Sequence, residues 1–379
     1  MTSGTDTVDL LTRLAGIDSV NPSLVPGAAG EADFAEYVAD WGRAAGLAVE
    51  VMGTAEDRPN VVVRGGRRGS GRALLLCGHL DTVGVADMTD PLSPRIDDDR
   101  LYARGAYDMK AGLAAALIAC RNAVAAGING EVLVAAVADE EHASTGIQRV
   151  LPHLTADAAI VTEPTELSIA TAHKGFVWTE IQVYGKAAHG SRPHLGVDAI
   201  IKTGPVLVAL DELNRQLRSG QHPTLGPGTV HASLIKGGME ESTIPDRCSL
   251  TIERRTLPGE TTEDIEREVA ALLAKCRTAD CDLITTSRTT LAREPFETND
   301  ASLLMRTLTD ATRSVLGRPA PVGAVSYWAD SAFLSAAGIP TVLFGPDGDG
   351  AHAEVEWVSL PGTIACAETL TAAALSFCR

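Results

Sequence analysis

Apolar residues in this chain gather into short unbroken runs at 74–78, 132–137, 158–162 and 341–345, the length and composition of strands buried on both faces. Between them lie stretches with helical spacing, 8–14, 31–45, 108–126 and 301–316, the third rich in Ala and Leu from 113 onward. Alternation of such strands and helices predicts an α/β fold, a mostly parallel sheet flanked by helices. The pattern changes at Lys174. Residues 176–184 alternate as a half-buried strand, 199–217 reads as a helix, and 228–235 and 248–254 read as strands. A second helix at 262–275 is headed by Thr261-Thr262-Glu263. Two helices against an antiparallel sheet make a small α+β layer. The first pattern resumes near Glu294, so one domain is expected from 1–173 and 287–379, interrupted by an inserted domain at 174–286.

The chemistry sits where the apolar runs stop. The first ends in His79-Leu80-Asp81, the second in Asp139-Glu140-Glu141, the third in Glu163, and the fourth leads through a Gly-rich loop to His352. A further carboxylate, Asp108, stands at the entry to the Ala/Leu-rich helix. The C-terminal edge of a parallel sheet is where α/β proteins place ligands. A histidine there can offer one ring nitrogen to a metal, and an aspartate two residues on projects from the same side and can hold the other nitrogen. Taken singly, each acid reads equally well as a loop residue or helix cap. As a set at matching strand ends, they read as a metal site.

In order and spacing these motifs resemble the M20 family of metallo-amidohydrolases, which includes acetylornithine deacetylase, succinyl-diaminopimelate desuccinylase, aminoacylase and glutamate carboxypeptidase. The resemblance runs from about residue 8 to about residue 375. It implies two Zn²⁺ per subunit, with Co²⁺ or Mn²⁺ as alternatives, on a metallo-exopeptidase-like catalytic domain. Asp108 would bridge the ions, His79 and Glu163 would complete one, and Glu141 and His352 the other; such donors suit zinc. Asp81 would fix the ring of His79, and the Asp108-Met109 peptide would be cis. Glu140, left free beside a coordinated neighbour, would carry the proton from water to the departing amine.

The same resemblance makes the insert a lid and dimerisation domain. His189, in Gly185-Lys186-Ala187-Ala188-His189-Gly190, would cross a homodimer interface to steady the oxyanion at the partner's site. Arg255, in Glu253-Arg254-Arg255-Thr256-Leu257-Pro258-Gly259, would contact the substrate carboxylate; Glu253 stands where the family carries aspartate. Ser242 replaces an asparagine of the family's substrate pocket, and Asp347 a glycine of its last loop. Tyr327, Asp330 and Ser331 would shape the pocket, and Glu356 would cap a turn or orient His352, or else be a surface acid. The implied reaction is hydrolysis of an N-acyl amino acid of the acetylornithine or succinyl-diaminopimelate type, with a dipeptidase or carboxypeptidase as the alternative.

Length and charge are compatible with this. A chain of 379 residues can build two cores. A net charge of −17 argues against nucleic acid or an anionic membrane as partner; a small acyl amino acid or short peptide is what the resemblance implies. Seven cysteines without a C-x-x-C pair read as packing residues in a reducing compartment. With no basic start followed by an apolar core, and no apolar run near the ~20 residues of a spanning helix, a cytoplasmic enzyme is expected. A catalytically silent relative would lack a ligand or the base, and none is missing. A nucleotide-binding protein would need a Gly-rich phosphate loop after a strand, and there is none.

Overall fold

A computed structural model describes residues 4–53, 58–298 and 302–379. Two compact units emerge, one comprising Met1–Thr171, Thr298–Gly323 and Ala329–Arg379, the other Ala172–Glu297 with Ala324–Trp328.

The apolar runs become the middle of the first unit's sheet. Glu131–Val137, Ala73–His79, Ala158–Val161 and Thr341–Leu343 lie side by side in that order, all parallel. Every residue of Glu131–Val137 and Ala158–Val161 is buried, which is why their sequences do not alternate. Antiparallel strands finish the sheet, with Asn60–Gly66 and Ala48–Met52 on one side and Ile169–His173 on the other. The fold is thus α/β with a mixed sheet whose parallel part is central. Because the parallel strands run one way, His79, Val137, Val161 and Leu343 all end on the same edge.

Helices Gly4–Ala15, Ala32–Ala44, Ala111–Ala125, Leu303–Leu316 and Leu360–Phe377 belong to the same unit. Ala111–Ala125 is apolar all round and buried against the sheet and Leu360–Phe377. Leu360–Phe377, 18 residues long and apolar enough by composition to span a membrane, contributes ten buried residues to this core instead. The helix expected at 108–126 begins three residues later. Asp108 and Met109 have non-helical backbone (φ −113° and −130°) and are joined by a cis peptide, so the carboxylate sits on a turn leading into the helix. The helix expected from 301 begins at Leu303; residue 301 lies outside the described residues.

A four-stranded antiparallel sheet, absent from the sequence reading, also belongs to this unit. Gly348–Asp349 pairs with Trp357–Ser359, which continues through Arg100–Tyr102 to Arg95–Asp97. It pins both ends of the loop that carries His352.

The second unit has the expected α+β layout. Its sheet runs Thr229–Gly237, Arg247–Thr256, Gly175–Tyr184, Ile284–Arg293, all antiparallel, with helices Ala199–Leu217 and Thr262–Ala279. The inner strands alternate buried and half-buried as their sequences require. Thr261 and Asp264 form a reciprocal capping box at the start of the second helix. The expected boundary at 286 is corrected: it falls inside Ile284–Arg293, which pairs with Gly175–Tyr184, so the unit extends to Glu297.

The turn bearing Asp108 is held close to the sheet by Gly112. A Cβ there would lie 1.8 Å from the main-chain oxygen of Thr162. Gly112→Ala is therefore expected to destabilise the protein by roughly 1–3 kcal/mol through overpacking against backbone, read as a lowered thermal midpoint.

Candidate metal centre

The five predicted ligands converge. His79 closes its strand, and Glu163 lies two residues beyond Val161 on the neighbouring one. Glu140 and Glu141 follow Val137 through a reversal at Asp139, whose φ is 69°. The Nε2 of His79 lies 3.2 Å from Oδ1 of Asp108, 3.9 Å from Glu140 and 3.8 Å from Glu163. The Nε2 of His352 lies 3.3 Å from Oδ2 of Asp108 and 3.1 Å from Glu141. One Asp108 oxygen thus faces each histidine, the arrangement a bridging carboxylate requires. Donor atoms of His79, Glu140 and Glu163 fall within 4.8 Å of one another, as do those of His79, Asp108 and Glu141.

These groups fit a cation. Four carboxylates share the cluster with only two imidazoles, and Oε1 of Glu141 is buried with no hydrogen-bond partner. Burial raises the Glu140 and Glu163 carboxyls well above their ordinary range, against the pull of His79, and neighbouring acids add to the rise. Burial raises Glu141 too, followed by Asp108. Burial opposes the charge on Asp108 as well, but hydrogen bonds from His352 and His79 hold its carboxyl low. His352 is pushed up to about 10 by its hydrogen bonds to Asp108 and Glu141. Burial would lower His79, yet Asp108, Glu163, Glu140 and Asp81 together raise it well above the usual imidazole range.

Two further carboxylates hold main chain. Asp81 was expected to grip the His79 ring with its carboxylate, and this is corrected. The ring Nδ1 lies 2.9 Å from the main-chain oxygen of Asp81 and 3.7 Å from its carboxylate. The carboxylate instead accepts the amides of Glu140 and Glu141, each at 3.1 Å, and the side-chain amide of Asn21 at 2.7 Å. An acid at the end of its strand met two free amides on the adjacent loop, and these outcompeted the ring. Glu356 proves to be buried. It accepts Arg104 Nη1 at 2.7 Å and the amides of Gly105, Tyr107 and Asp108 at 2.9, 2.9 and 3.1 Å, and so fixes the turn that presents Asp108. Asn21 escaped the sequence reading because it stands far from every candidate ligand in the chain, and Arg104, four residues before Asp108, because its partner Glu356 lies 252 residues away.

A sequence model of peptidase family M20/M25/M40 matches residues 75–376. The chain belongs to that family. It is a hydrolase of the M20 group, and three relatives frame it. An acetylornithine deacetylase from Myxococcus xanthus is 32% identical over 332 residues, 85% of this chain and 85% of the relative. A tripeptidase from Staphylococcus aureus has a solved structure with TM-score 0.81 at 20% identity, covering 100% of both chains. A dinuclear metal-binding peptidase of the M20 family from Bacillus subtilis has TM-score 0.75 at 14% identity, covering 98% of each. The two structures carry the fold.

The remaining M20 candidates divide between the units. Asp330 and Ser331 are buried in the first, at the start of the short helix Ser331–Ala336. Asp330 adds to the negative field that raises Glu140 and Glu163. His189, Ser242, Arg255 and Tyr327 belong to the second. There His189 is exposed, its Nδ1 2.8 Å from Ser191 Oγ, on a ribbon where Ala188–His189 pairs with Thr243–Ile244. The Gly190 amide donates to the Ser242 carbonyl at 2.8 Å, so residues 52 positions apart in sequence become neighbours. Arg255 lies 5.7 Å from the Phe176 ring and donates to the Ser326 carbonyl at 2.8 Å.

A cation can enter only as these imidazoles give up protons. Since both histidine pKa values are raised, the proton-bearing form dominates at neutral pH and competes less as pH rises. Metal binding to stripped protein should release protons and tighten with pH between about 6 and 8, measurable by calorimetry in buffers of unequal ionisation enthalpy. Binding that is independent of pH across this range would contradict the expectation.

Proposed function

We propose that this M20 hydrolase cleaves the amide bond of an N-acyl amino acid, in the manner of acetylornithine deacetylase or succinyl-diaminopimelate desuccinylase. The observation that carries this is Asp108, whose two oxygens each face a histidine with three further carboxylates alongside. The relative at 32% identity over most of both chains favours deacylation. The Staphylococcus aureus tripeptidase shares the fold, which keeps a dipeptidase or carboxypeptidase as the second reading.

His79, Asp108, Glu141, Glu163 and His352 would hold two divalent cations, zinc by the nitrogen and oxygen donor set, with cobalt or manganese accommodated by the same ligands. Those ions would polarise the scissile carbonyl and acidify water. Glu140 takes a proton from the attacking water as oxygen adds to the carbonyl carbon. It returns that proton to nitrogen as the C–N bond breaks, releasing a carboxylate and an amine. Asp81 keeps the 140–141 main chain in place through its two amide contacts. Arg255 is the proposed partner of the substrate carboxylate, with Ser242, Tyr327, Asp330 and Ser331 shaping selectivity.

A homodimer is part of the proposal. Thr229–Gly237 is an edge strand of the insert's sheet, and it exposes Leu234 and Ile235. Ile201 and Val208 are 72% and 69% exposed on the helix Ala199–Leu217 of the same unit. An open strand edge with apolar side chains invites pairing with a second copy. In that dimer His189 would steady the oxyanion at the partner's site.

Glu140→Gln should lower kcat by about 10²–10⁴-fold with the metal content unchanged, measured by amine release and elemental analysis. Removing metal with a chelator should abolish turnover, and Zn²⁺ or Co²⁺ should restore it; hydrolysis that survives complete metal removal sinks the reading. Faster release from dipeptides than from N-acetyl or N-succinyl amino acids would favour the second reading. Leu234→Asp combined with Val208→Asp should give a monomer by sedimentation velocity.

A further inference from the structure

The residue preceding the proposed base holds an uncommon conformation. Asp139 has φ 69°, a left-handed geometry uncommon outside Gly that Asp enters more readily than most side chains, and here it is fixed by hydrogen bonds. That reversal swings the chain out of the strand Glu131–Val137 and sets the direction of Glu140.

Thr145 Oγ1 donates to Asp139 Oδ2 at 2.7 Å, and two side chains from farther away in the sequence hold the other oxygen. Arg58 Nη1 donates to Asp139 Oδ1 at 2.6 Å and to Ser23 Oγ at 3.0 Å. Its Nε donates to Glu31 at 3.1 Å, and its Nη2 pairs with the other Glu31 oxygen. Asn21 Nδ2 reaches Asp139 Oδ1 at 3.2 Å and Asp81 Oδ2 at 2.7 Å, and Asp81 in turn accepts the amides of Glu140 and Glu141. Asn21, Glu31, Asp81 and Asp139 are all buried. Without Arg58, Glu31 and Asp139 would each lose a charged partner inside the protein, where an unpaired charge is costly.

We propose that Arg58 and Asn21 are positioning residues for Glu140: together they lock the reversal at Asp139 and, through Asp81, fix the main chain from which the base projects. This rests on the assignment of Glu140 as the base, but its structural part is tested without turnover. It assigns work to two residues that touch no metal ligand side chain.

The test uses the purified full-length protein with Arg58→Met, Arg58→Lys and Asn21→Ser. Amide hydrogen exchange at Glu140 and Glu141 is expected to quicken about tenfold in Arg58→Met and Asn21→Ser, while Leu133 to Val137 keep their protection. With an active wild type, kcat should fall by about tenfold or more with KM and metal stoichiometry unchanged, and Arg58→Lys should recover part of it. Unchanged exchange at both amides in both variants overturns the proposal, whether or not the protein hydrolyses any substrate. So does a loss of kcat that tracks loss of metal, because that marks a purely structural role. A wild type inactive on every acyl and peptide substrate would instead sink the proposed function, and the exchange result would still decide the positioning claim.

Discussion

Like charge gathered in a buried place is the constraint around which this molecule is arranged. Glu140 with Glu163, and Asp108 with Glu141, lie within a few ångströms of each other on either side of His79, and taking carboxylates out of water without compensation costs several kcal/mol each. His79 and His352 offset part of that charge. Divalent cations are the natural remainder, and the unpartnered oxygen on Glu141 is the local trace of that demand. The sheet makes the crowding possible. Parallel strands end together, and residues just past those ends are forced into one another's company.

Acids outside the cluster explain how the cluster keeps its shape. Asp81 and Glu356 both spend their oxygens on main-chain amides, Asp81 on the loop bearing Glu140 and Glu141, Glu356 on the turn bearing Asp108. A carboxylate that accepts several amides restrains backbone as well as side chain, because each bond fixes a peptide plane. Glu356 also ties that turn to the loop of His352, four residues before it, so the Asp108 carboxylate and the His352 imidazole are placed by one side chain. Burial raises the Glu356 carboxyl above its ordinary range, and the amides of Asp108 and Gly105, with the buried Arg104 beside it, pull the other way.

Much of this could be read along the chain. The four central strands were visible as unbroken apolar runs, and several candidate ligands as the polar residues that stop them. Ile284–Arg293 was not visible, because its Thr, Ser and Arg residues leave it largely exposed and offer no apolar run; its partner Gly175–Tyr184 defines it. The small sheet around His352 was hidden for a related reason, since strands of two or three residues are too short for periodicity to register.

The sequence by itself determined the architecture, the set of donors and their order, since local apolar pattern decides what is buried and strand ends decide where polar residues emerge. Only the tertiary structure decided which atom of each donor faces which partner. Asp81 shows the difference: sequence placed it beside His79, and spatial competition gave its carboxylate to two amides and its carbonyl to the ring. Asn21, Arg58 and Glu356 became part of the scaffold in the same way. Hydrogen bonds form over about 3 Å of space whatever the distance along the chain, and a sequence records only the latter.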